Sequence, residues 1–179
     1  VKAVFTFGRM NPPTVGHEKL VNKVREVARK TRGQPLIFLS QSQDKKKNPL
    51  DYKDKIKFAQ KAFGKIAVKT KSKTVIQVLQ ELEKQGYKDV VMVVGSDRVA
   101  SFKELLNKYN GKDYTFDSIT ITSAGDRDPD ADDVSGMSAS KMRQLAKDED
   151  IDGFTDGLPS MLQRNAKQVY SAVRKGMGL

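Results

Sequence analysis

The chain has 179 residues, within the range of one domain, and carries 33 Lys and Arg against 22 Asp and Glu, a formal net charge of +11. It has no Cys, which excludes a disulfide scaffold, a cysteine zinc framework and a Cys nucleophile, and a single His, which excludes a two-His metal site within one chain. Its apolar runs are far too short to span a bilayer, so a soluble, cytoplasmic protein with anionic partners is expected. The chain opens inside a strand-like segment with neither Met nor a signal-peptide pattern, as expected of a processed or trimmed product.

The positive charge is uneven. Residues 1–90 hold 21 Lys and Arg against 8 Asp and Glu, and residues 91–179 hold 12 against 14. A basic first half suits a nucleotide, a nucleic acid or an acidic surface. Many of the same lysines also read as solvated helix faces.

In chain order, short β-rich runs alternate with amphipathic helical runs. Ala3–Phe7 reads as a strand, and His17–Thr31 as a helix with Leu20, Val21, Val24, Val27 and Ala28 on one face and Gly33 as its cap. Pro35–Ser40 is a second strand. The polar stretch Gln41–Asn48 contains Lys45, Lys46 and Lys47, which read first as a solvated run. Pro49 leads into a helix with Tyr52, Ile56, Ala59 and Phe63 on one face. Lys65–Lys69 is expected as a short third strand, followed by a helix marked by Val75, Val78, Leu79 and Leu82. Asp89–Val94 is the strongest strand signal, a nearly unbroken apolar run of the kind covered on both faces. Val99, Phe102, Leu105, Leu106 and Tyr109 mark a helix, and Ser118–Thr122 a fifth strand. Asp126–Asp133 is an acidic loop, Ser138 to about Asp150 a helix, and Leu162, Ala166, Val169, Tyr170 and Val173 a last helix.

This alternation predicts an α/β fold: a Rossmann-like, doubly wound, parallel five-stranded sheet with helices on both faces. One domain is expected over 1–179, with a core at about 2–150 and a helical extension at 151–179. Ligands of such sheets bind beyond the carboxyl ends of the strands, and three unusual segments lie there.

The first is Gly8-Arg9-Met10-Asn11-Pro12-Pro13-Thr14-Val15-Gly16-His17. Gly8 is expected to ease a turn, the prolines stiffen the loop, and Gly16 permits close backbone approach beside His17 at a helix start. Its spacing is neither that of a Walker loop nor of GxGxxG. The second is Gly95-Ser96-Asp97-Arg98, after the strongest strand. The third is Ser135-Gly136-Met137-Ser138-Ala139-Ser140-Lys141-Met142-Arg143, which opens a helix with hydroxyls, N–H groups and a fork-shaped cation.

Together these segments resemble the nucleotidyltransferase superfamily that includes cytidylyltransferases, NMN adenylyltransferases and pantetheine-phosphate adenylyltransferases. Thr14-Val15-Gly16-His17 is similar to its (H/T)xGH signature, Ser135–Arg143 to its ISSTxIR-like stretch, and Gly95–Asp97 to its G-x-D element. Met137 and Ala139 depart from the commonest form. Ser40–Gln43 through Asn48-Pro49 resembles the loop after the second strand of archaeal NMN adenylyltransferases, and the compact GRMNPPTVGH form looks like phage-encoded versions.

The resemblance implies transfer of a nucleoside monophosphate from an NTP to a phosphorylated small molecule such as NMN, with release of pyrophosphate. It implies catalytic roles for His17, Thr14 and Arg143. It implies nucleotide contacts at Gly8, Arg9, Met10, Asn11, Gly16, His17, Gly95, Asp97, Ser138, Ser140, Lys141 and Arg143. Mg²⁺ is the implied cofactor, carried on the triphosphate with no metal ligands from the protein. The absence of Trp removes the usual stacking partner of nicotinamide, and the absence of an RTxGISTT sequence favours ATP over CTP. The implied partners are the NTP, the acceptor and weakly held, salt-sensitive nucleic acid; no membrane is involved, and self-association is left open. The rival reading is a binding module that keeps the fold without turnover and grips nucleic acid or a virion component through its basic half.

Overall fold

In the computed structural model the described residues are 1–125 and 136–179; the acidic loop Asp126–Asp133 and Ser135 lie outside them. The elements are β1 (Lys2–Gly8), α1 (Val15–Thr31), β2 (Gln34–Leu39), α2 (Tyr52–Phe63), α3 (Val75–Lys84), β3 (Asp89–Val94), α4 (Val99–Lys108), β4 (Ser118–Ser123), α5 (Ala139–Lys147), α6 (Ile151–Gly157) and α7 (Ala166–Gly176). They form two units, one of Val1–Phe7, Lys19–Phe38 and 68–125, the other of Gly8–Glu18, Leu39–Ala67 and 136–179.

The first unit holds the sheet, in the order β2-β1-β3-β4. β3 runs parallel to both neighbours, pairing Lys2 with Asp89 through Phe5 with Met92 on one side and Asp89 with Ser118 through Val94 with Ser123 on the other. Its unbroken apolar sequence follows from cover on both faces. Ala3, Phe5, Phe38, Val90, Met92 and Val94 pack against Val78, Leu79 and Leu82 of α3 and Leu106 of α4. Val4, Val91 and Val93 pack against Val24 and Ala28 of α1 on the opposite face. Each buried Val or Leu contributes roughly 1.5–3 kcal/mol relative to exposure. The lone polar side chain inside β1, Thr6, is satisfied by donating to the Val93 carbonyl at 2.8 Å.

The sheet has four strands, not the expected five. Lys65–Lys69 does not form a strand: Gly64, at φ +82°, ends α2, and Gly64–Ile66 continue as a 3-10 turn. The Val68 N–H reaches β2 at the Ile37 carbonyl, 2.9 Å away. Three apolar residues between lysines present too little surface to override a turn started by a left-handed glycine.

The end of α1 also differs in detail. Arg32 takes the left-handed position (φ +56°), and the Gly33 N–H returns to the Ala28 carbonyl at 2.7 Å. Gly33 is needed for a different reason: a Cβ there would stand 2.8 Å from Val4 Cγ2.

In the second unit, α2 and α5–α7 enclose their own core of Leu50, Phe58, Met142, Phe154, Leu162 and Val169, with Val173. Asp51 caps α2 by accepting from the Asp54 N–H, and Asp150 caps α6 through the Gly153 N–H. Residues 151–179 thus pack on α2 and α5. Among the described residues no helix is long and apolar enough to cross a membrane.

Gly176, at the end of α7, lies against the carbonyl of Pro49, where a Cβ would overlap the backbone. Helix propensity alone would make Gly176→Ala stabilising by a fraction of a kcal/mol. The contact reverses the sign, and the variant is expected to lose about 1–3 kcal/mol, the range for overpacking. That corresponds to a melting temperature lower by roughly 3–10 °C for a chain of this size, read by circular dichroism.

Candidate functional site

The loop after β1 is built from the inside out. Met10 turns the chain at φ +42° with its side chain 1 % exposed, so burial holds a non-glycine residue in a left-handed conformation. Gly8, expected to make that turn, has open space where a Cβ would stand, and packing does not require its small size. Asn11 is fully buried. Its Nδ2 donates to the Leu50 carbonyl at 3.2 Å and its Oδ1 accepts from the Leu50 N–H at 2.9 Å. Both ends of its amide are therefore spent on the loop before α2.

Thr14 is 1 % exposed and organises the start of α1. Its N–H donates to His17 Nδ1 at 3.0 Å, and its Oγ1 accepts from the His17 N–H at 3.3 Å. A backbone N–H cannot donate to a protonated ring nitrogen, so the neutral ring carries its proton on Nε2. His17 is half-buried, and its donor atom is fixed by a local backbone contact.

The same threonine reaches the third segment. Thr14 Oγ1 donates to the Met137 carbonyl at 3.1 Å. Gly16 makes this approach feasible, since a Cβ there would stand 2.9 Å from that carbonyl. One turn into α5, Arg143 Nη1 donates to the Asn11 carbonyl at 3.0 Å. Segments more than 120 residues apart in sequence are thus joined at both ends.

Ser138 is the N-cap of α5, accepting from the Lys141 N–H at 3.1 Å. Its hydroxyl is engaged in the cap, and the first N–H groups of α5 carry the partial positive charge of a helix start. Ser140 is exposed and Lys141 half-buried on that turn. Arg9 is exposed, yet its charge acts on Arg143, whose pKa is depressed by burial and then by Arg9, with Asp44 opposing.

The second unit therefore brings Arg9, Thr14, Gly16, His17, Ser138, Lys141 and Arg143 together. Gly95 and Asp97 belong to the first unit. Gly95 follows β3, the strand paired with β1, and a Cβ on it would stand 2.9 Å from Asp97 Oδ1. Met10 and Asn11 have buried side chains and act on the site through the backbone they shape.

Sequence reasoning missed Lys55. The periodicity of α2 puts it on the apolar face, where it is 0 % exposed and donates to Ser40 Oγ at 3.2 Å. Burial first, and Arg9 second, bring its pKa down to about 8. The signal was available in the spacing: Lys55 is adjacent to Ile56 and three residues before Phe58.

Among the described residues no group of three His, Asp or Glu is placed to hold a metal ion.

None of the curated proteins matches the chain. Among solved structures, Thermotoga maritima TmcAL bound with alpha-thio ATP superposes with a TM-score of 0.56 at 13% identity, over 99% of this chain and 56% of that one. The likeness is one of fold, and this chain spans just over half the length of that protein. The cytidylyltransferase-like family pattern matches residues 5–145, a span that takes in the loop after β1, the turn after β3 and the start of α5. The chain belongs to the cytidylyltransferase-like family.

Proposed function

We propose that this protein is an adenylyltransferase: it transfers AMP from ATP to a phosphorylated small-molecule acceptor, of which NMN is the leading candidate, and releases pyrophosphate. The observation that carries this reading is the joining of the two signature segments by Thr14, Gly16 and Arg143, which sets a fixed imidazole beside a helix N-terminus. Family membership supports the nucleotidyl transfer. The α-thio ATP on the structurally similar TmcAL supports ATP as the donor.

In this mechanism an oxygen of the acceptor phosphate attacks the α-phosphorus in line. The bond from that phosphorus to the α,β-bridging oxygen breaks, and pyrophosphate leaves with the electron pair. Negative charge grows on the α-phosphate oxygens and on the leaving group, so catalysis consists of positioning and electrostatic stabilisation. The acceptor phosphate is already ionised and needs no general base. Nε2–H of His17 donates to the α-phosphate, held in that tautomer by the Thr14 N–H. Arg143, Lys141, Ser140 and the first N–H groups of α5 hold the departing pyrophosphate. Arg9 meets the outer phosphates. Mg²⁺ bound to the triphosphate would neutralise part of its charge. Such an enzyme works in the cytoplasm, where its nucleotide is.

One observation favours nucleic-acid contact as a secondary property. Asp44 accepts from the N–H groups of Lys46 and Lys47 at 3.0 and 2.7 Å, and this turn leaves the Lys45–Lys47 run exposed. Such contacts are weak and fall steeply with salt.

His17→Ala is expected to lower turnover by roughly 10²–10³ while the KM for ATP changes little, since the ring acts on charge that develops in the transition state. Pyrophosphate release measures this, and turnover within a few-fold of the parent would remove His17 from the mechanism. Arg143→Lys is expected to weaken ATP and pyrophosphate by about ten- to a hundred-fold, the loss of a charge-assisted hydrogen bond worth about 1.5–3 kcal/mol. AMP lacks the phosphates that Arg143 reads, so calorimetry should find its affinity nearly unchanged.

A further inference from the structure

Lys55 is the anomaly of the second unit. A buried ammonium is normally matched by a carboxylate, because removing it from water costs several kcal/mol. Lys55 is 0 % exposed, its Nζ donates to the neutral hydroxyl of Ser40, and among the described residues no carboxylate pairs with it. The charge that acts on it is another cation, Arg9.

The surroundings repeat this imbalance. Arg9 also bears on Arg143, so cations from the loop after β1, from α2 and from α5 are electrostatically linked. Among the described residues the carboxylate that opposes them is Asp44, and it acts on Arg143. Its oxygens are already engaged by the Lys46, Lys47 and Asn48 N–H groups and by Asn48 Nδ2. On α2 itself, Asp51 is committed to the Asp54 N–H, and neither residue acts on Lys55. The His17 ring turns Nδ1 toward Thr14. Asn48, which donates to Asp44, is 6 % exposed, and among the described residues its Oδ1 is buried with no hydrogen-bond partner.

A fold keeps positive charge without counter-charge where a ligand supplies the missing anion. We propose that Lys55, with Ser40 and Arg9, forms a phosphate subsite that takes up one proton as its ligand binds, so that phosphate binding completes the charge on Lys55. The shared chemistry is a phosphate dianion, supplied by the acceptor or by the nucleotide. The proposal rests on the adenylyltransferase reading for the identity of those ligands, not for the proton coupling.

The coupling follows from linkage. In the ligand-free protein Lys55 titrates at about 8, so at pH 8 about half the molecules hold it neutral, and an adjacent dianion draws the proton back. The sign for stability is fixed as well. The folded-state pKa lies below the usual lysine value of 10.5, so the destabilisation from burying the charge is full below about pH 8 and fades as pH rises toward 10.5.

The test is titration calorimetry at pH 8 in two buffers of different ionisation enthalpy. The probes are inorganic phosphate, NMN, pyrophosphate and ATP. At least one should bind with uptake of about half a proton, falling to near zero at pH 6.5, and its affinity should drop roughly tenfold between pH 8 and 9.5. Uptake with NMN and phosphate alone assigns the subsite to the acceptor; uptake with pyrophosphate and ATP alone assigns it to the nucleotide. Lys55→Met should abolish the uptake and weaken that ligand at least tenfold, yet unfold no more readily than the parent at pH 7. Its stability advantage should shrink between pH 8 and 10.5. Lys55→Arg should bind at pH 9.5 as at pH 8, with no proton uptake. Binding of every probe without proton uptake in the parent protein, or uptake that persists in Lys55→Met, would overturn the proposal. So would Lys55→Met losing stability while keeping its anion affinity, the outcome for a merely structural lysine. Turnover without uptake would sink this subsite alone, and uptake without turnover on any NTP would sink the enzyme reading alone.

Discussion

The carbonyl of Met137, seated against Gly16 and held by Thr14 Oγ1, is the contact on which the site depends. It needs a residue without a Cβ at 16 and a buried hydroxyl at 14, and neither requirement can be met from elsewhere in the chain. Thr14 uses its backbone N–H on the imidazole and its hydroxyl on the third segment, so one residue sets both the tautomer of His17 and the position of the chain leading into α5. Moving Thr14 would disturb two functions together. That is the mark of a positioning residue.

Asn11 plays the matching part at the other end. Its amide is closed on Leu50 and its carbonyl receives Arg143. A guanidinium holds several N–H groups in one plane, so one can be fixed to the protein while others remain directed at a ligand. An ammonium at 143 would have to choose. The rigidity of the loop after β1 thus reaches the Arg143 side chain on α5, for which we propose phosphate binding, and rigid placement is what stabilises developing charge at no reorganisation cost.

What could be read from the sequence was whatever local pattern decides. β3 was legible because six consecutive residues, Asp89–Val94, carry the signal of a strand buried on both faces. The signature segments were legible because the missing Cβ of Gly16 and the side chains of His17 and Arg143 are distinctive in any context. Lys65–Lys69 was misread because a run of three apolar residues cannot reveal that Gly64 already sits at positive φ. The Asn11–Leu50 clasp spans 39 residues and leaves no periodic trace. Lys55 was missed because helical periodicity assigns a lysine outward by type, although its own position, beside Ile56 and three before Phe58, lies on the inward face. Type and position disagreed there, and position won.

In the proposed reading the site takes several phosphates and must be positive before they arrive, and like charges gathered on a fold repel one another. This chain contains the repulsion in three different ways. Arg9 stays exposed, where water screens it. Arg143 is half-buried but lies on the Asn11 carbonyl, so a fixed dipole takes the place of a counter-ion. Lys55 is fully buried and, among the described residues, donates to a hydroxyl rather than a carboxylate, and it lowers its own charge by titrating at about 8. The order from Arg9 to Lys55 is one of decreasing solvent and increasing dependence on the ligand. A guanidinium could not fill the last place in the same way, because it does not lose its proton in the accessible range. In the proposed reading the buried position is therefore suited to lysine rather than arginine, since lysine can be charged with its ligand and neutral without it.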